Sequence, residues 1–402
     1  MLDFLKLGLL VSQISAETLV DNSLTDGGAA LSEALLVFAR QCQDDSAFAA
    51  RLAANAPWIL WPTAMPLEPL ATVQNVPLLQ AAVTPWTVVG VDGSQIMPSH
   101  HEVHNCYLLN LGLTRISYGL DLPPLLTSEP RLFARPEDLY PLVDRRRVYI
   151  DELYVSLERS LFELENLTSQ AIEARRLTGV SVLAMYDGSL IPWSAEKMSE
   201  PYLQNYLGRF EACLDRLREE KVALVGYLSK SRASDTVNDL RSALCPYTVA
   251  NCREHCAHLN EEFFPCSRVW PLADRPLYDA ILQKGQRSCA MVSGASVVKS
   301  MSSQNAISFC YLKSEVEVAR IEFPRWLTAD PGLFAFALSG ALTQVVKGQG
   351  YPLALSEAHH LAVIKGPERE RFFEMLGHKM IQLGINKVAT SPKEARKRKG
   401  FV

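Results

Sequence analysis

The chain has 402 residues, 48% of them hydrophobic and 21% charged, with 21 Gly and 23 Pro, which excludes collagen-like, coiled-coil and wholly disordered chains. Forty basic residues against 44 acidic leave a net charge of -4. A polybasic nucleic-acid coat is therefore ruled out, and any nucleic-acid site must be a local patch.

The first fourteen residues are apolar but carry Asp3 and Lys6, with no basic cluster ahead of them and no small-residue cleavage site. They read as an amphipathic helix of a cytoplasmic protein, and no charge-free run is long enough for a membrane span. Residues 16–80 are mostly helical in pattern and then Pro-punctuated, so that 1–85 forms an N-terminal helical extension. At Trp86 the texture changes. Thr87 to Val91 is a β-branched run ending in Asp92-Gly93-Ser94, a buried strand entering a tight turn. Tyr107 to Leu113 and Thr114 to Leu120 continue as two strands of a meander. Asp151 to Arg176 is helical, with Leu153, Leu157, Leu161, Leu164 and Leu167 on one side. Val180 to Tyr186 is a second apolar strand ending in Asp187-Gly188-Ser189. A helix from Tyr202 to Glu220 leads to the strand Val222 to Leu228. After a cysteine-bearing insertion of about residues 240–300 come strands at Ala306 to Lys313 and Ala319 to Phe323. Helices follow at Leu333 to Val346, Ser356 to Ile364 and Pro367 to Leu383. This order predicts an α/β fold with a mixed sheet and flanking helices.

A carboxylate at the end of a buried strand sits on a rigid element facing an open crevice. If the strands ending at Asp92 and Asp187 are neighbours, the two acids converge and repel unless a cation lies between them. Mg²⁺ or Mn²⁺ is the expected occupant, as in a two-metal phosphodiester site. A single Asp-Gly-Ser is most often only a turn; two copies after apolar strands carry more weight. The helix before Asp187 supplies a third acid. The strand climbs about 23 Å at ~3.3 Å per residue, and a helix regains that height in about 15 residues, which levels Glu163 and Glu165 with Asp187 but leaves Glu173 short. Glu165, at i+4 from Leu161, is preferred over Glu163.

Taken in order, Asp92-Gly93-Ser94, Asp187-Gly188-Ser189-Leu190, Gly226-Tyr227-Leu228-Ser229-Lys230, Ala319-Arg320-Ile321-Glu322-Phe323-Pro324, Gly350-Tyr351-Pro352 and Glu357-Ala358-His359 resemble the motifs of the NurA nucleases. The likeness runs from Trp86 to about Lys399. It implies an RNase H-like nuclease domain over 86–402 that uses two Mn²⁺ or Mg²⁺ ions, cuts single-stranded DNA and digests DNA 5′–3′ in end resection and repair. It further implies a homodimer working with a HerA-type hexameric ATPase. Carried over, the motifs make Asp92, Asp187 and Glu163 or Glu165 metal ligands. They put Tyr351 and His359 at the active centre, His359 as a second-metal ligand or proton carrier and Tyr351 against phosphate or base, with Lys230 on the DNA backbone. A rival reading is a catalytically weak nucleic-acid-binding or scaffolding partner of the translocase, which would be expected to have lost a strand-end Asp. An RNase H-like RNase or a Holliday-type nuclease would share the metal chemistry without needing Tyr351 and His359.

Nine cysteines in a chain of this length argue for reduced thiols. Four fall within 22 residues, Cys245, Cys252, Cys256 and Cys266, beside His255 and His258. They can hold zinc or an iron–sulfur cluster, although the Cys-x2-Cys knuckle of structural zinc sites is missing; otherwise they are buried thiols of an insertion. His100-His101-Glu102 with His104 lacks the spacing of a helical zinc motif. The cationic tail Lys393 to Lys399 suits phosphate contacts or a solvated terminus.

Overall fold

The computed structural model describes residues 2–13, 25–98, 105–143 and 145–385. The His100–His104 cluster and the Lys393–Lys399 tail lie outside the described residues. The chain divides by space into two compact units. One comprises Met1–Asn75, Ser229–Lys299 and Ser308–Ile321; the other comprises Val76–Leu228, Ser300–Ile307 and Glu322–Val402.

The second unit holds the paired Asp-Gly-Ser strands. Its elements are β1 (Trp86–Ile96), β2 (Tyr107–Tyr118), β3 (Leu125–Phe133), α1 (Glu152–Thr178), β4 (Ser181–Asp187), α2 (Glu200–Glu219), β5 (Ala223–Leu228), α3 (Pro331–Lys347), α4 (Leu353–Ala362) and α5 (Gly366–Gln382). The strand order is β5-β4-β1-β2-β3. The first three strands form an antiparallel meander, and β4 and β5 add parallel to β1. This is an RNase H-like mixed sheet with flanking helices. Residues 107–118, expected as two strands, form one. The third strand lies at Leu125–Phe133, where none was expected; it is a mostly exposed edge strand containing Pro130, so it lacks the apolar run by which strands are recognised.

Helix α1 carries the chain from edge strand β3 back across the sheet to β4, which pairs parallel to β1. Asp151 caps its first turn by accepting the Tyr154 N–H at 2.8 Å, and Gly179 ends it in the left-handed region at φ 69°. Val155, Leu157, Leu161, Leu164 and Leu167 are buried along it.

Helix α4 lies close on the β1–β2 pair because that floor has no side chains beneath it. A Cβ at Gly90 would come 2.8 Å from the Ala354 carbonyl oxygen, and one at Gly112 would come 2.0 Å from that of Ala358. Ala354, Ala358 and Ala362, four residues apart and all fully buried, are the matching small face. The Asn110 side-chain amide donates to the Ala362 carbonyl at 2.8 Å and fixes the helix end.

The first unit has its own core, built on helices Thr25–Gln41, Asp45–Asn55, Asp235–Leu244 and Asp274–Ile281 and short strands of residues 64–66, 291–293 and 307–313. The fully buried Asp274 carboxylate accepts the N–H groups of Thr236 and Val237 at the start of one helix and the Tyr311 hydroxyl at 2.8 Å. Three hydrogen bonds of this kind are what make a buried acid tolerable.

Candidate active site

Parallel pairing ends with Val91 opposite Tyr186, so Asp92 and Asp187 follow side by side and on the same face; β1 itself runs on to Ile96 against β2, so Asp92-Gly93-Ser94 is strand and not the tight turn expected from the sequence. Asp92 Oδ1 accepts its neighbour Gly93 N–H at 2.8 Å, and its Oδ2 lies 2.7 Å from His359 Nδ1. Asp187 Oδ1 accepts the Tyr351 hydroxyl at 2.6 Å. Both partners come from the far end of the sequence. The left-handed Gln349 (φ 56°) and Gly350 (φ 124°) turn the chain out of α3, so Tyr351 lands edge-on against Tyr227 while Pro352 opens α4. Helix α4, seated on its glycine floor, then carries His359 to Asp92.

Of the two helix acids, the fold brings Glu163 beside Asp92-Gly93 and turns Glu165, the one preferred from the sequence, away. Glu163 is 5% exposed, and a Cβ on Gly93 would meet its Oε1 at 2.3 Å, so position 93 of β1 must be glycine for the carboxylate to lie there. Glu165 points the other way, toward α2, and its Oε1 accepts from Arg209 at 2.9 Å, as Glu158 Oε2 does at 3.2 Å. The reason is that α1 is buried on two sides. Glu163 shares a face with Leu167 and Ala174, whereas Glu165 shares one with Glu158, seven residues before it. A single apolar stripe along the sequence does not separate these two faces. Glu173 pairs with Arg115 at 3.6 Å.

Burial pushes the Glu163 carboxyl up to about 7; Arg159 opposes this, Asp92 and Asp187 add to it, and a hydrogen bond with Tyr186 opposes it. Asp187 is also raised, first by burial and then by Asp92, against the pull of the Tyr351 hydrogen bond and His359. The three acids thus sense one another as like charges. Glu163 Oε1 is buried and accepts no hydrogen bond, although Arg159 Nε lies 3.3 Å away. Among the described residues no group of three or more His, Cys, Asp or Glu stands in a ready metal-holding arrangement. Asp92 and Asp187 are turned instead to His359 and Tyr351. The donor set nevertheless fits a hard divalent cation: it is all oxygen, it is deficient in positive charge, and one buried oxygen lacks a donor.

Residues outside the predicted set also shape the site. Arg159, one helical turn before Glu163, donates from Nη1 to the Gly93 carbonyl at 3.0 Å and so ties helix to strand; its i,i+4 spacing from Glu163 was the available signal. Glu322, buried, accepts both the Ser189 hydroxyl and the Leu190 N–H at 2.8 Å and holds the turn after Asp187 in place. Lys230 falls in the other unit, at a left-handed position (φ 47°), and its N–H donates to Glu317 at 3.0 Å.

An RNase H-like mixed sheet with an aspartate on each of two adjacent parallel strands and a helix glutamate beside them defines the class. The NurA domain matches residues 87–364, more than half of the chain, and the chain belongs to the NurA family, a nuclease family. Among solved structures it is similar to the NurA nuclease from Sulfolobus solfataricus, at 12% identity and a TM-score of 0.46 over 77% of this chain and 86% of that one. It is also similar to LC9-RNase H1, a type 1 RNase H with the type 2 active-site motif, at 10% identity and a TM-score of 0.20 over 39% and 69%. No curated protein matches. Among the described residues no helix is long and apolar enough to cross a membrane.

Proposed function

We propose that the chain is a divalent-cation-dependent deoxyribonuclease. In this reading it cleaves single-stranded DNA internally and digests ends 5′–3′ during end resection and repair, as a cytoplasmic homodimer partnered by a HerA-type ATPase. The observation that carries it is the meeting of Asp92 and Asp187, on adjacent parallel strands, with the buried Glu163, which lies against Gly93. Family membership supports the same reading.

Asp92, Glu163 and Asp187 are the residues that would hold the cations. When bound, Mn²⁺ or Mg²⁺ supplies Lewis-acid polarisation of the phosphodiester and acidification of the attacking water. His359, fixed through Nδ1 by Asp92, keeps Nε2 for holding or delivering a proton at a phosphodiester oxygen. Tyr351 holds the Asp187 carboxylate through its hydroxyl, and Arg159 holds the Gly93 carbonyl of β1 and faces Glu163. A scaffolding role is disfavoured because all three acids are present and gathered.

Labelled single- and double-stranded DNA, incubated with purified protein and Mn²⁺, Mg²⁺ or EDTA, tests the proposal. Cleavage with either ion, none in EDTA, and a loss of at least about 10²-fold in Asp92→Asn and Asp187→Asn are expected. Wild-type rates in either variant, or undiminished cleavage in EDTA, would overturn it.

A further inference from the structure

The first unit contains a second constellation that the acid site does not use. Cys245 follows the helix Asp235–Leu244, Cys252 opens the short helix Cys252–His255, Cys256 closes it, and Cys266 precedes the turn Ser267–Val269. All four line one small cavity, partly open to solvent. The N-terminal segment pins this loop. Arg51 donates to the Cys245 carbonyl at 2.6 Å, Asn55 Oδ1 accepts the Ala250 N–H at 3.0 Å, and the Trp58 carbonyl accepts the Cys252 N–H at 3.3 Å. Cys256 and Cys266 pack with Phe264, beside Trp61 and Leu259.

Arg241, in the wall of the same cavity, is 3% exposed. Its guanidinium stacks on the Trp61 ring at 3.7 Å, and its Nη1 pairs with Glu261 at 2.9 Å. Nε and Nη2, both buried, have no hydrogen-bond partner. Two unmet guanidinium N–H groups are costly in the interior, and thiols are poor acceptors, whereas thiolates and sulfides are good ones. Arg241 reaches the Cys266 thiol, which as a neutral group can serve it only as a weak acceptor. The four thiols lie within electrostatic reach of one another. Yet they do not form a cage for one ion, and the Cys-x2-Cys knuckle is missing. A polynuclear centre, which spreads its ligands around its own body, suits such a set better than zinc.

We propose that Cys245, Cys252, Cys256 and Cys266 bind a cubane cluster of four irons and four sulfides, with Arg241 donating hydrogen bonds to its sulfurs. Each thiol gives up one proton on ligation; two ferrous and two ferric irons with four sulfides make a core of charge 2+, so no electron transfer is needed when both iron states are supplied, and Arg241 offsets part of the net negative charge that the four thiolates bring. The cluster ties the N-terminal segment and the cysteine segment into one unit.

The full chain, purified anaerobically and reconstituted with equal amounts of ferrous and ferric iron and with sulfide, should carry about four iron and four acid-labile sulfide per chain, with visible absorption that dithionite bleaches. Cys252→Ser and Cys256→Ser should lose most of the iron, while Cys213→Ser, in the other unit, should keep it. Arg241→Gln should retain iron but lower the reduction potential, because a hydrogen bond that stabilises the reduced cluster is gone. Folded wild-type protein with one zinc and no sulfide, or with neither metal, or cysteine variants that hold as much iron as wild type, would each overturn the proposal.

Discussion

Replacing Glu163 by Gln removes a buried charge while keeping the side chain's shape, so stability and activity should move in opposite directions. Burial and the two aspartates raise this carboxyl from 4.5 to about 7, a value that already includes the attraction of Arg159. At about 1.4 kcal/mol per pH unit, the ionised form destabilises the fold by about 3 kcal/mol. The folded form binds the proton more tightly than the unfolded chain, so this group contributes no penalty below pH 4.5. Stability then falls as pH rises to about 7, and the full penalty applies above that. Glu163→Gln should therefore be more stable than wild type by up to about 3 kcal/mol in urea unfolding at pH 8 with EDTA, and nearly equal to it at pH 4.5. Saturating Mn²⁺ should stabilise wild type more than the variant, since a cation bound only to the native state adds about 2.7 kcal/mol at a hundredfold excess over its Kd. DNA cleavage by the variant should fall by at least about 10²-fold. A variant less stable than wild type at pH 8, a difference independent of pH, or equal stabilisation of both proteins by Mn²⁺ would refute the reasoning.

Glu165→Gln, which breaks only the Arg209 pair, should leave cleavage within about threefold of wild type, small against the ~10²-fold loss expected of a ligand; a loss equal to that of the Glu163 variant would return the assignment to Glu165. Tyr351→Phe removes a hydrogen bond that favours ionised Asp187, so the acid limb of the pH–rate profile should move to higher pH with activity recovered in alkali, and an unmoved limb would contradict that role. Gly112→Ala forces a Cβ to 2.0 Å from the Ala358 carbonyl, so α4 must lift. It should cost about 1–3 kcal/mol and reduce cleavage by displacing His359, whereas normal stability would mean that the close approach is relaxed at no expense.

The two aspartates were legible because each follows an apolar run that marks a buried strand; that β1 runs on past Asp92 to Ile96 was not, because Asp-Gly-Ser is locally a turn signal and pairing with β2 overrides it. The helix between the two aspartates was plain, since its leucines keep a helical period over many turns. Edge strand Leu125–Phe133 was not legible, because a strand exposed on most of its length carries no burial pattern. Nor could Glu163 be separated from Glu165 in one dimension. That choice depends on which flank of α1 meets the sheet and which meets Arg209 of α2, two neighbours tens of residues apart in the chain. The pairings of His359 with Asp92 and Tyr351 with Asp187 span 267 and 164 residues. Local periodicity fixes elements and their ends, because those depend on backbone preference and the nearest few side chains. Which ends meet, and which of two adjacent acids is stripped of water, is decided only when distant glycines and alanines let helix and sheet close together.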